Sequence, residues 1–198
     1  MKQTQTNKVI YDQQKVLNLS EAADQVPWVA LHLFSPRQEQ VRDCLVDKGL
    51  EVYVPLEWVD IEDAPHHRKR ILKPVVRNLL FVKATLDDVD MAKTISDIPF
   101  PVRVLRYSPQ DPRPAKIPAR QMFQFQAMCN PDIMRKQYLS EEEAKLKKGC
   151  KVVVTHGPLK GLTGRLVRSS KQYYLLNEVP GIAVMMNVAR WCCEPVEE

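Results

Sequence analysis

Three glycines near the C-terminal end of the sequence, Gly157, Gly161 and Gly164, could supply either phosphate-binding chemistry or tight turns. They follow a β-branched run in the segment KVVVTHGPLKGLTGRLVR, residues 151–168. Successive backbone N–H groups in a glycine loop can cradle a phosphate, but glycine also accepts the positive φ angles of tight turns. The two interpretations predict different classes of protein.

The spacing of these glycines excludes a nucleotide-binding loop. Such a loop has the pattern G-x-x-x-x-G-K-[ST] and leads from a strand into a helix, whose N-terminus completes the anion site. Here three residues separate Gly157 from Gly161, the lysine precedes the second glycine, and the segment RLVR with strand character follows. We therefore predict turns, with a positive φ at Gly161 and a close approach of backbone at Gly164.

Residue types that support catalysis or metal binding are scattered along the chain. The five cysteines include no Cys-x-x-Cys pair, and the adjacent pairs Cys192–Cys193 and His66–His67 lack the spacing of zinc ligands. Ser/His/Asp, Cys/His and paired-carboxylate patterns do not assemble, and no glycine elbow surrounds a serine. We predict a protein that is not an enzyme, holds no metal or cofactor, and keeps its cysteines reduced.

A basic segment, HHRKRILKPVVR over residues 66–77, could attract the phosphates of nucleic acid. Five of its twelve residues carry a full positive charge: Arg68, Lys69, Arg70, Lys73 and Arg77. Such a cluster binds DNA without reading its sequence, and its affinity falls as salt rises. The alternative is a solvated loop, partly neutralised by four acidic residues just upstream: Glu57, Asp60, Glu62 and Asp63.

The composition sets the broad class of the protein. The 198 residues are 44% hydrophobic and 27% charged, which is typical of a globular chain with one domain or two small ones. The net charge of +5 permits contact with nucleic acid without requiring it. No run approaches the roughly 18 apolar residues of a membrane span, and the N-terminus lacks an apolar signal segment. We expect a cytoplasmic monomer with no membrane contact.

Changes in hydrophobic period divide the chain into four parts. Residues 1–26 form a polar extension, 27–128 an α+β domain, 129–147 a charged linker, and 148–195 a small domain of four or five strands. The α+β domain has the order β-α-β-β-α-β, and a further helix over ARQMFQFQAMC packs back on it. The fold class is α+β, with an antiparallel N-terminal sheet flanked by helices and a C-terminal β-barrel.

Local signals place the first helix and the segment before the apolar strand. Ser35 is predicted to cap the helix, Pro36 to occupy its first position, and Gly49 to end it. The charged segment 60–73 is expected to be a loop that leads into the strand PVVRNLLFVKA.

Two parts of the sequence resemble one protein family. The segment KKGCKVVVTHGPLKGLTGRLVR resembles a KOW motif, G-x-x-V-x-V-x-x-G-P-x-K-G-x-x-G, found in NusG-type transcription elongation factors and some ribosomal proteins. The blocks WVALHLFSPRQEQVRDCL, EVYVPL and PVVRNLLFV resemble, in order, the NusG N-terminal domain. The similar blocks span about 28–107 and 148–191. The compact PVVRNLLFV block and the N-terminal extension most resemble the RfaH and UpxY antiterminators of polysaccharide operons.

This resemblance implies that the first domain binds the clamp helices of RNA polymerase through an apolar patch. The matching residues are Val76, Leu79 and Phe81, and Leu79 stands where the family commonly has an aromatic residue. Because side chains alternate along a strand, Leu79 and Phe81 share one face, and Leu80 and Val82 share the other. The pattern leaves open whether Leu79 and Phe81 meet a partner or belong to the core.

The resemblance also implies contacts with the DNA of the elongation complex. The basic segment 66–77 matches a basic loop of the family, and Arg37 and Arg42 are the cations of the first helix that could join it. A hydroxyl-rich contact to the polymerase gate loop has no good match here, because Asp90, Met91 and Ala92 stand near its place.

In this family the KOW domain recruits a small-subunit ribosomal protein or the termination factor Rho. The positions that match its turn and partner surface are Gly157, Pro158, Leu159, Lys160, Gly161 and Leu162, with the strand residues Ile182, Ala183 and Val184. Most of these are as compatible with a core as with a surface. RfaH also refolds this domain as a helical hairpin, but VVV and YYLL favour strands.

The leading hypothesis is a transcription elongation and antitermination factor that keeps RNA polymerase processive on a specific polysaccharide operon. One alternative is a general NusG-type elongation factor. Another is a ribosome-associated KOW protein, which would need a stronger basic surplus than the 7 Lys+Arg against 4 Asp+Glu over residues 148–198.

Overall fold

The computed structural model of the protein describes residues 25–64, 67–133, 135–157 and 159–196. The predicted extension 1–26, apart from its last two residues, lies outside the described residues. Between residues 25 and 133, the described residues form seven strands and three helices: β1 (Trp28–Leu33), α1 (Gln38–Asp47), β2 (Val52–Tyr53), β3 (Leu56–Ala64), β4 (His67–Pro74), β5 (Leu79–Lys83), α2 (Asp88–Ser96), β6 (Val102–Val104), β7 (Lys116–Ile117) and α3 (Ala119–Met128). In the described part of the chain, no helix is long and apolar enough to cross a bilayer.

The N-terminal sheet is antiparallel and has the order β2-β5-β1-β6, with β7 paired to the other end of β1. The apolar block predicted as a strand is β5, which lies inside the sheet between β2 and β1. Ala30 of β1 is the register partner of Phe81. The predicted α+β class with an antiparallel sheet and helices is confirmed.

The two faces of this sheet bury different cores. Leu80 and Val82 of β5 pack in a cluster with residues of α1 and α2, including Val41 and Ile95. Leu79 and Phe81 point to the opposite face, as the period of two requires, and belong to a separate cluster. The predicted grouping of side chains along β5 is therefore confirmed, and both faces are covered.

The expectation of a charged loop over 60–73 is wrong, because β3 and β4 form a long antiparallel hairpin. The register places oppositely charged residues directly across from each other, with Asp60 opposite Arg70 and Glu62 opposite Arg68. Opposite charges at such positions stabilise strand pairing, and Val59 opposite Ile71 adds an apolar pair. Charge density alone suggested a solvated loop, whereas the complementary order of the charges favours a hairpin.

The predicted start of the first helix is also wrong. α1 begins at Gln38 after Arg37, without a side-chain cap, and Ser35 and Pro36 lie in a bend before it. The Gln38 amide donates to the carbonyl oxygens of Val76, at 3.0 Å, and Leu79. Gln38 therefore ties the start of the helix to the bend before β5 and to the first residue of β5. The predicted end is confirmed, because Gly49 follows the helix with a φ of 82°.

The second part of the chain forms a six-stranded antiparallel sheet of order β13-β9-β10-β11-β12-β8. Its elements are β8 (Lys136–Leu139), α4 (Glu141–Lys145), β9 (Gly149–Val154), β10 (Thr163–Ser169), β11 (Gln172–Val179), β12 (Ile182–Asn187), a 3-10 turn (Arg190–Cys192) and β13 (Cys193–Pro195). The VVV and YYLL segments are strands, as predicted. The segment predicted as a linker, 129–147, contains β8 and α4, and β8 joins this sheet beside β12.

The helix α3 lies between the two sheets. The Phe125 ring packs at a tilt of 57° against the Phe81 ring of the N-terminal sheet, with ring centroids 5.6 Å apart, and α3 also contacts β11 and β12. Gln121 Nε2 donates to the carbonyl oxygen of Glu178 at 2.7 Å. The predicted packing of this helix on the first domain is confirmed, and the helix also joins that domain to the C-terminal sheet.

Candidate protein and nucleic-acid interfaces

The apolar patch of β5 is buried in this structure. Leu79 is 3% exposed and Phe81 is not exposed, whereas Val76 lies half-buried in the bend before β5. Phe81 lies between the rings of Tyr53 and Phe125, at centroid distances of 6.2 Å and 5.6 Å. These residues are therefore brought together on one face, but that face is covered by the protein's own chain.

The cover over this face comes from α3 and the C-terminal sheet. Leu79 and Phe81 share one continuous apolar cluster with Ile182 and Val184 of β12. Gly181, in the turn before β12, lies so close that a Cβ placed on it would be 2.9 Å from Leu79 Cδ1. The strand Ile182–Val184, which the sequence placed near a partner surface, is fully buried in this arrangement.

The basic residues of the predicted loop lie along one strand of the β3–β4 hairpin, where Arg68, Lys69 and Arg70 are exposed. Arg70 lies over the Trp58 ring at 5.3 Å and opposite Asp60 in register. Trp58 Nε1 donates to Asp132 Oδ1 at 3.0 Å. Lys69 differs from its neighbours because its register partner is the apolar Ile61. Among the basic residues of β4, Lys69 is the one whose charge has no acidic residue directly across the hairpin.

The other predicted cations lie apart from the hairpin. Arg42 is engaged by its neighbour Asp43 at 2.8 Å, and Arg37 is exposed at the start of α1. Arg77 lines a concavity of about 390 Å³, together with His32, Leu33, Phe34, Ser35, Pro36 and Asn78.

Phe34 is a surface residue of this concavity that the sequence analysis missed. It is 58% exposed, and the guanidinium of Arg103 lies 5.6 Å from its ring centre. Asn78 Nδ2 and His32 Nε2 are 3.0 Å apart at the same place. An exposed aromatic ring between cations can stack on a nucleic-acid base. The available signal in the sequence was a phenylalanine directly after the apolar run WVALHL.

The residues at the place of the family's gate-loop contact belong to the start of α2. The Asp87 side chain accepts hydrogen bonds from the N–H groups of Val89 and Asp90, at 3.0 Å and 2.8 Å. Met91 is buried, whereas Asp90 and Ala92 are exposed. The geometry here is that of a capped helix N-terminus.

The glycine-rich turn of the C-terminal domain has the predicted geometry. Gly161 has a φ of 88°, and a Cβ on Gly164 would lie 2.7 Å from the carbonyl oxygen of Leu176. Leu159 and Leu162 are buried, Lys160 is exposed, and Pro158 lies outside the described residues.

An exposed aromatic residue lies next to this turn and was also missed. Trp191 is 74% exposed, and its ring centre is 5.8 Å from that of His156. The adjacent Thr155 N–H donates to the carbonyl oxygen of Cys192 at 2.8 Å, which holds the 3-10 turn against the loop. Trp191 and His156 therefore form an exposed pair at the end of the domain where Leu159 and Leu162 are buried.

Cys129, at the end of α3, is packed away from solvent beside a lysine. Burial raises the pKa of the Cys129 thiol to about 12, so the thiol stays protonated. Lys136 Nζ donates to the carbonyl oxygens of Cys129, at 3.1 Å, and Asn130. Desolvation by burial lowers the pKa of Lys136. Among the described residues, no group of three His, Cys, Asp or Glu side chains could hold a metal ion.

Comparison with known proteins identifies the family. The NusG family, described as transcription termination factor nusG, matches residues 26–126, which form the first part of the chain through most of α3. The chain belongs to the NusG family, a family of non-enzymatic transcription factors that act on elongation and termination through RNA polymerase. No curated protein matches the chain.

Proposed function

We propose that this protein is a transcription elongation and antitermination factor that binds RNA polymerase through its N-terminal domain and keeps it processive. The observation that carries the proposal is the apolar face of β5 within the family-matched region. Leu79 and Phe81 lie on the face of the sheet that is turned away from α1 and α2. The core under these two helices does not include either side chain. Another protein could therefore cover this face without disrupting the α1–α2 core.

Binding of polymerase to this face requires the C-terminal sheet to move away. In the closed arrangement Gly181 contacts Leu79, and Ile182 and Val184 fill the same cluster. We infer an equilibrium between this closed form and an open form in which Val76, Leu79 and Phe81 meet the clamp helices. The apparent affinity for polymerase is then the intrinsic affinity reduced by the fraction of open molecules.

The β3–β4 hairpin is our candidate for contact with the DNA of the elongation complex. Acidic residues of β3 lie opposite most of the basic residues of β4 and partly neutralise them. Attraction for phosphate is therefore expected mainly from exposed basic residues that have no acidic residue opposite. Lys69 meets that condition, and the cations around the concavity near Phe34 form a second candidate surface. The expected contact is electrostatic and independent of base sequence.

The C-terminal domain is proposed to be a KOW domain that recruits a further protein, either a small-subunit ribosomal protein or Rho. Because Leu159 and Leu162 are buried, the exposed Trp191, His156 and Lys160 are better candidates for that contact. Exposed tryptophan is enriched among residues that dominate protein interfaces. A role on one polysaccharide operon remains the proposed specialisation.

The test is a binding assay with purified RNA polymerase. Leu79→Ala and Phe81→Ala are poor probes, because removing buried side chains of this size lowers stability by about 2–5 kcal/mol. Val76→Asp places a charge at the half-buried edge of the proposed surface. Val46→Asp, at an exposed position of α1, is the matched control. We expect Val76→Asp to weaken binding at least about tenfold and Val46→Asp to leave it unchanged. Equal effects of the two variants, or no binding by the wild-type chain, would reject the proposal.

A further inference from the structure

The β3–β4 hairpin depends on contacts outside its own two strands. β3 and β4 pair with each other and, in the described part of the chain, with no third strand. A single two-stranded hairpin is only marginally stable in water. At its base the Val75 N–H donates to the carbonyl oxygen of Pro55 at 3.0 Å, and Val75 and Val76 pack against the cluster that contains Leu79 and Phe81. The order of the rest of the hairpin therefore depends on what its other side chains contact.

One such contact joins the hairpin to the turn after α3, residues 129–133. Trp58 Nε1 of β3 donates to Asp132 Oδ1 at 3.0 Å, and the guanidinium of Arg70 of β4 lies 5.3 Å from the centre of the Trp58 ring. The turn holds Asp132 in place, because the Asp132 N–H donates to Asn130 Oδ1 at 2.9 Å and Asn130 is only 5% exposed. A hydrogen bond to a carboxylate is stronger than one between neutral groups. Trp58 is therefore fastened to a turn that is anchored in the interior.

Lys136, the first residue of β8, fixes the same turn from the C-terminal side. Its Nζ donates to the carbonyl oxygens of Cys129, at 3.1 Å, and Asn130, at the C-terminal end of α3. Desolvation lowers the pKa of Lys136, whereas the nearby carboxylates of Glu57 and Asp132 favour its charged form. Lys136 thus lies next to the end of α3, the turn and the base of β3.

The strand β8 is part of the C-terminal sheet and would move with it. It pairs with β12 over four residue pairs. The helix α4, which follows β8, is fastened to the same sheet: the Gly181 N–H donates to Glu141 Oε2 at 3.1 Å, and Arg165 Nη2 donates to the carbonyl oxygen of Ala144 at 2.9 Å. Withdrawal of the C-terminal sheet from α3 would therefore take the Lys136 amine away from the turn.

We propose that Lys136, Asp132 and Trp58 form a latch through which the C-terminal sheet holds the β3–β4 hairpin in place. In the closed form β8 fixes the turn and the turn fixes Trp58, which lies against Arg70. Withdrawal of the sheet removes the amine and releases the hairpin. The consequence for transcription rests on the proposed function: polymerase binding at the β5 face requires the sheet to withdraw, and that withdrawal would also free the basic strand β4 to reach DNA.

Hydrogen exchange of the full chain, measured by mass spectrometry, tests the contact between Trp58 and Asp132. Trp58→Phe removes the N–H donor and keeps an aromatic ring beside Arg70, and Asp132→Ala removes the acceptor. Each variant should speed exchange of the β3 and β4 amides at least about fivefold. The double variant should be no faster than the single ones, because both remove the same hydrogen bond. Asp47→Ala, at the exposed end of α1, is the control and should have no effect.

Two results of this experiment would overturn the latch. One is exchange in the hairpin that stays at the wild-type rate in Asp132→Ala. The other is a double variant whose effect is the full sum of the two single effects, because the two side chains would then act independently.

The link to the C-terminal sheet is tested by Lys136→Met, which removes the amine, keeps most of the side-chain length and changes no residue of the hairpin. It should also speed exchange of the β3 and β4 amides at least about fivefold. Gln137→Met, at the exposed next position of β8, is the matched control and should leave the hairpin unchanged. The helices α1 and α2 pack in a separate core, so their amides should exchange at the wild-type rate. An unchanged hairpin in Lys136→Met, or an equal rise in α1 and α2, would overturn the latch.

Hydrogen exchange involves neither polymerase nor nucleic acid, so failure of the latch and failure of the proposed function are distinguishable. The expected exchange pattern in a chain that does not bind polymerase would support the latch and reject the proposed function. Polymerase binding by a chain whose hairpin ignores Asp132→Ala and Lys136→Met would reject the latch alone.

Discussion

Gly181 contacts Leu79 across the boundary between the two sheets. A Cβ on Gly181 would lie 2.9 Å from Leu79 Cδ1 and 3.1 Å from Leu105 Cδ1, and Gly181 has a φ of 91°. The side chain at position 181 is therefore limited by both backbone conformation and space. This contact closes the apolar face of β5 to any external partner while the two sheets remain together.

The contact can be tested with asparagine, which tolerates positive φ better than other residues with a side chain. Gly181→Asn places a polar amide against Leu79 and Leu105, and we expect it to lower the free energy of unfolding by about 1–3 kcal/mol. Gly157→Asn is the control, because Gly157 has a φ of 83° and no atom within 4 Å of a Cβ. Urea unfolding of both variants measures the difference, and equal losses would show that the contact does not stabilise the closed form.

The hairpin charges predict different effects for neighbouring cations. Lys69→Glu should weaken binding to nucleic acid in elongation complexes without lowering thermal stability, because Ile61 is its register partner. Arg70→Glu should weaken binding and also destabilise the hairpin by about 1 kcal/mol, because it places two acids opposite each other and removes the contact with Trp58. Binding assays at low and high salt, with thermal unfolding, test both effects.

A phosphate contact has a characteristic salt dependence. The loss caused by reversing Arg68, Lys69 and Arg70 together should be larger at low salt than at high salt, because ions screen exposed charges. A loss of equal size at both salt concentrations would indicate a structural role for this strand.

The turn that carries Gly181 is held by a carboxylate. Glu141 Oε2 accepts from the Gly181 N–H at 3.1 Å, and Glu141 Oε1 accepts from Lys145 Nζ at 2.6 Å. The hydrogen bond from Lys145 is the main reason that the pKa of Glu141 is lowered. Because the folded pKa is depressed, the stabilisation is present above the unfolded carboxyl pKa of about 4.3 and is lost as pH falls through the folded value.

Glu141→Gln should therefore destabilise the protein at pH 7 but not under strongly acidic conditions. We expect a loss of less than about 1 kcal/mol at neutral pH, since the pair is partly exposed. The difference between wild type and variant should disappear at a pH below the depressed pKa, as measured by urea unfolding. The exposed neighbour Glu142, changed to Gln, is the control. A difference that persists in acid would assign the effect to packing rather than to charge.

The sequence predicted those features that depend on local period and turn chemistry. Alternation correctly separated Leu79 and Phe81 from Leu80 and Val82, and spacing correctly placed a positive φ at Gly161. The hairpin was missed because oppositely charged residues stabilise it by facing each other across two strands. A count of charges over 60–73 does not show that order.

The contacts between the two sheets could not be predicted from local patterns. Gly181 and Leu79 are far apart in sequence, and nothing in either local segment indicates that they meet. The same holds for Gln124 of α3, whose side chain accepts a hydrogen bond from Thr163 of β10. Non-local pairs of this kind depend on how whole elements pack, and propensity and period carry no information about that.

Binding of polymerase to the β5 face is tested most directly by the affinity of labelled full-length protein for purified RNA polymerase, measured for wild type, Gly181→Asn and Gly157→Asn. Opening of the closed form should expose Leu79 and Phe81, so Gly181→Asn should bind at least about fivefold more tightly than wild type. Gly157→Asn should bind like wild type. An absence of binding in all three forms, or an affinity that Gly181→Asn leaves unchanged, would contradict the claim that this face binds polymerase.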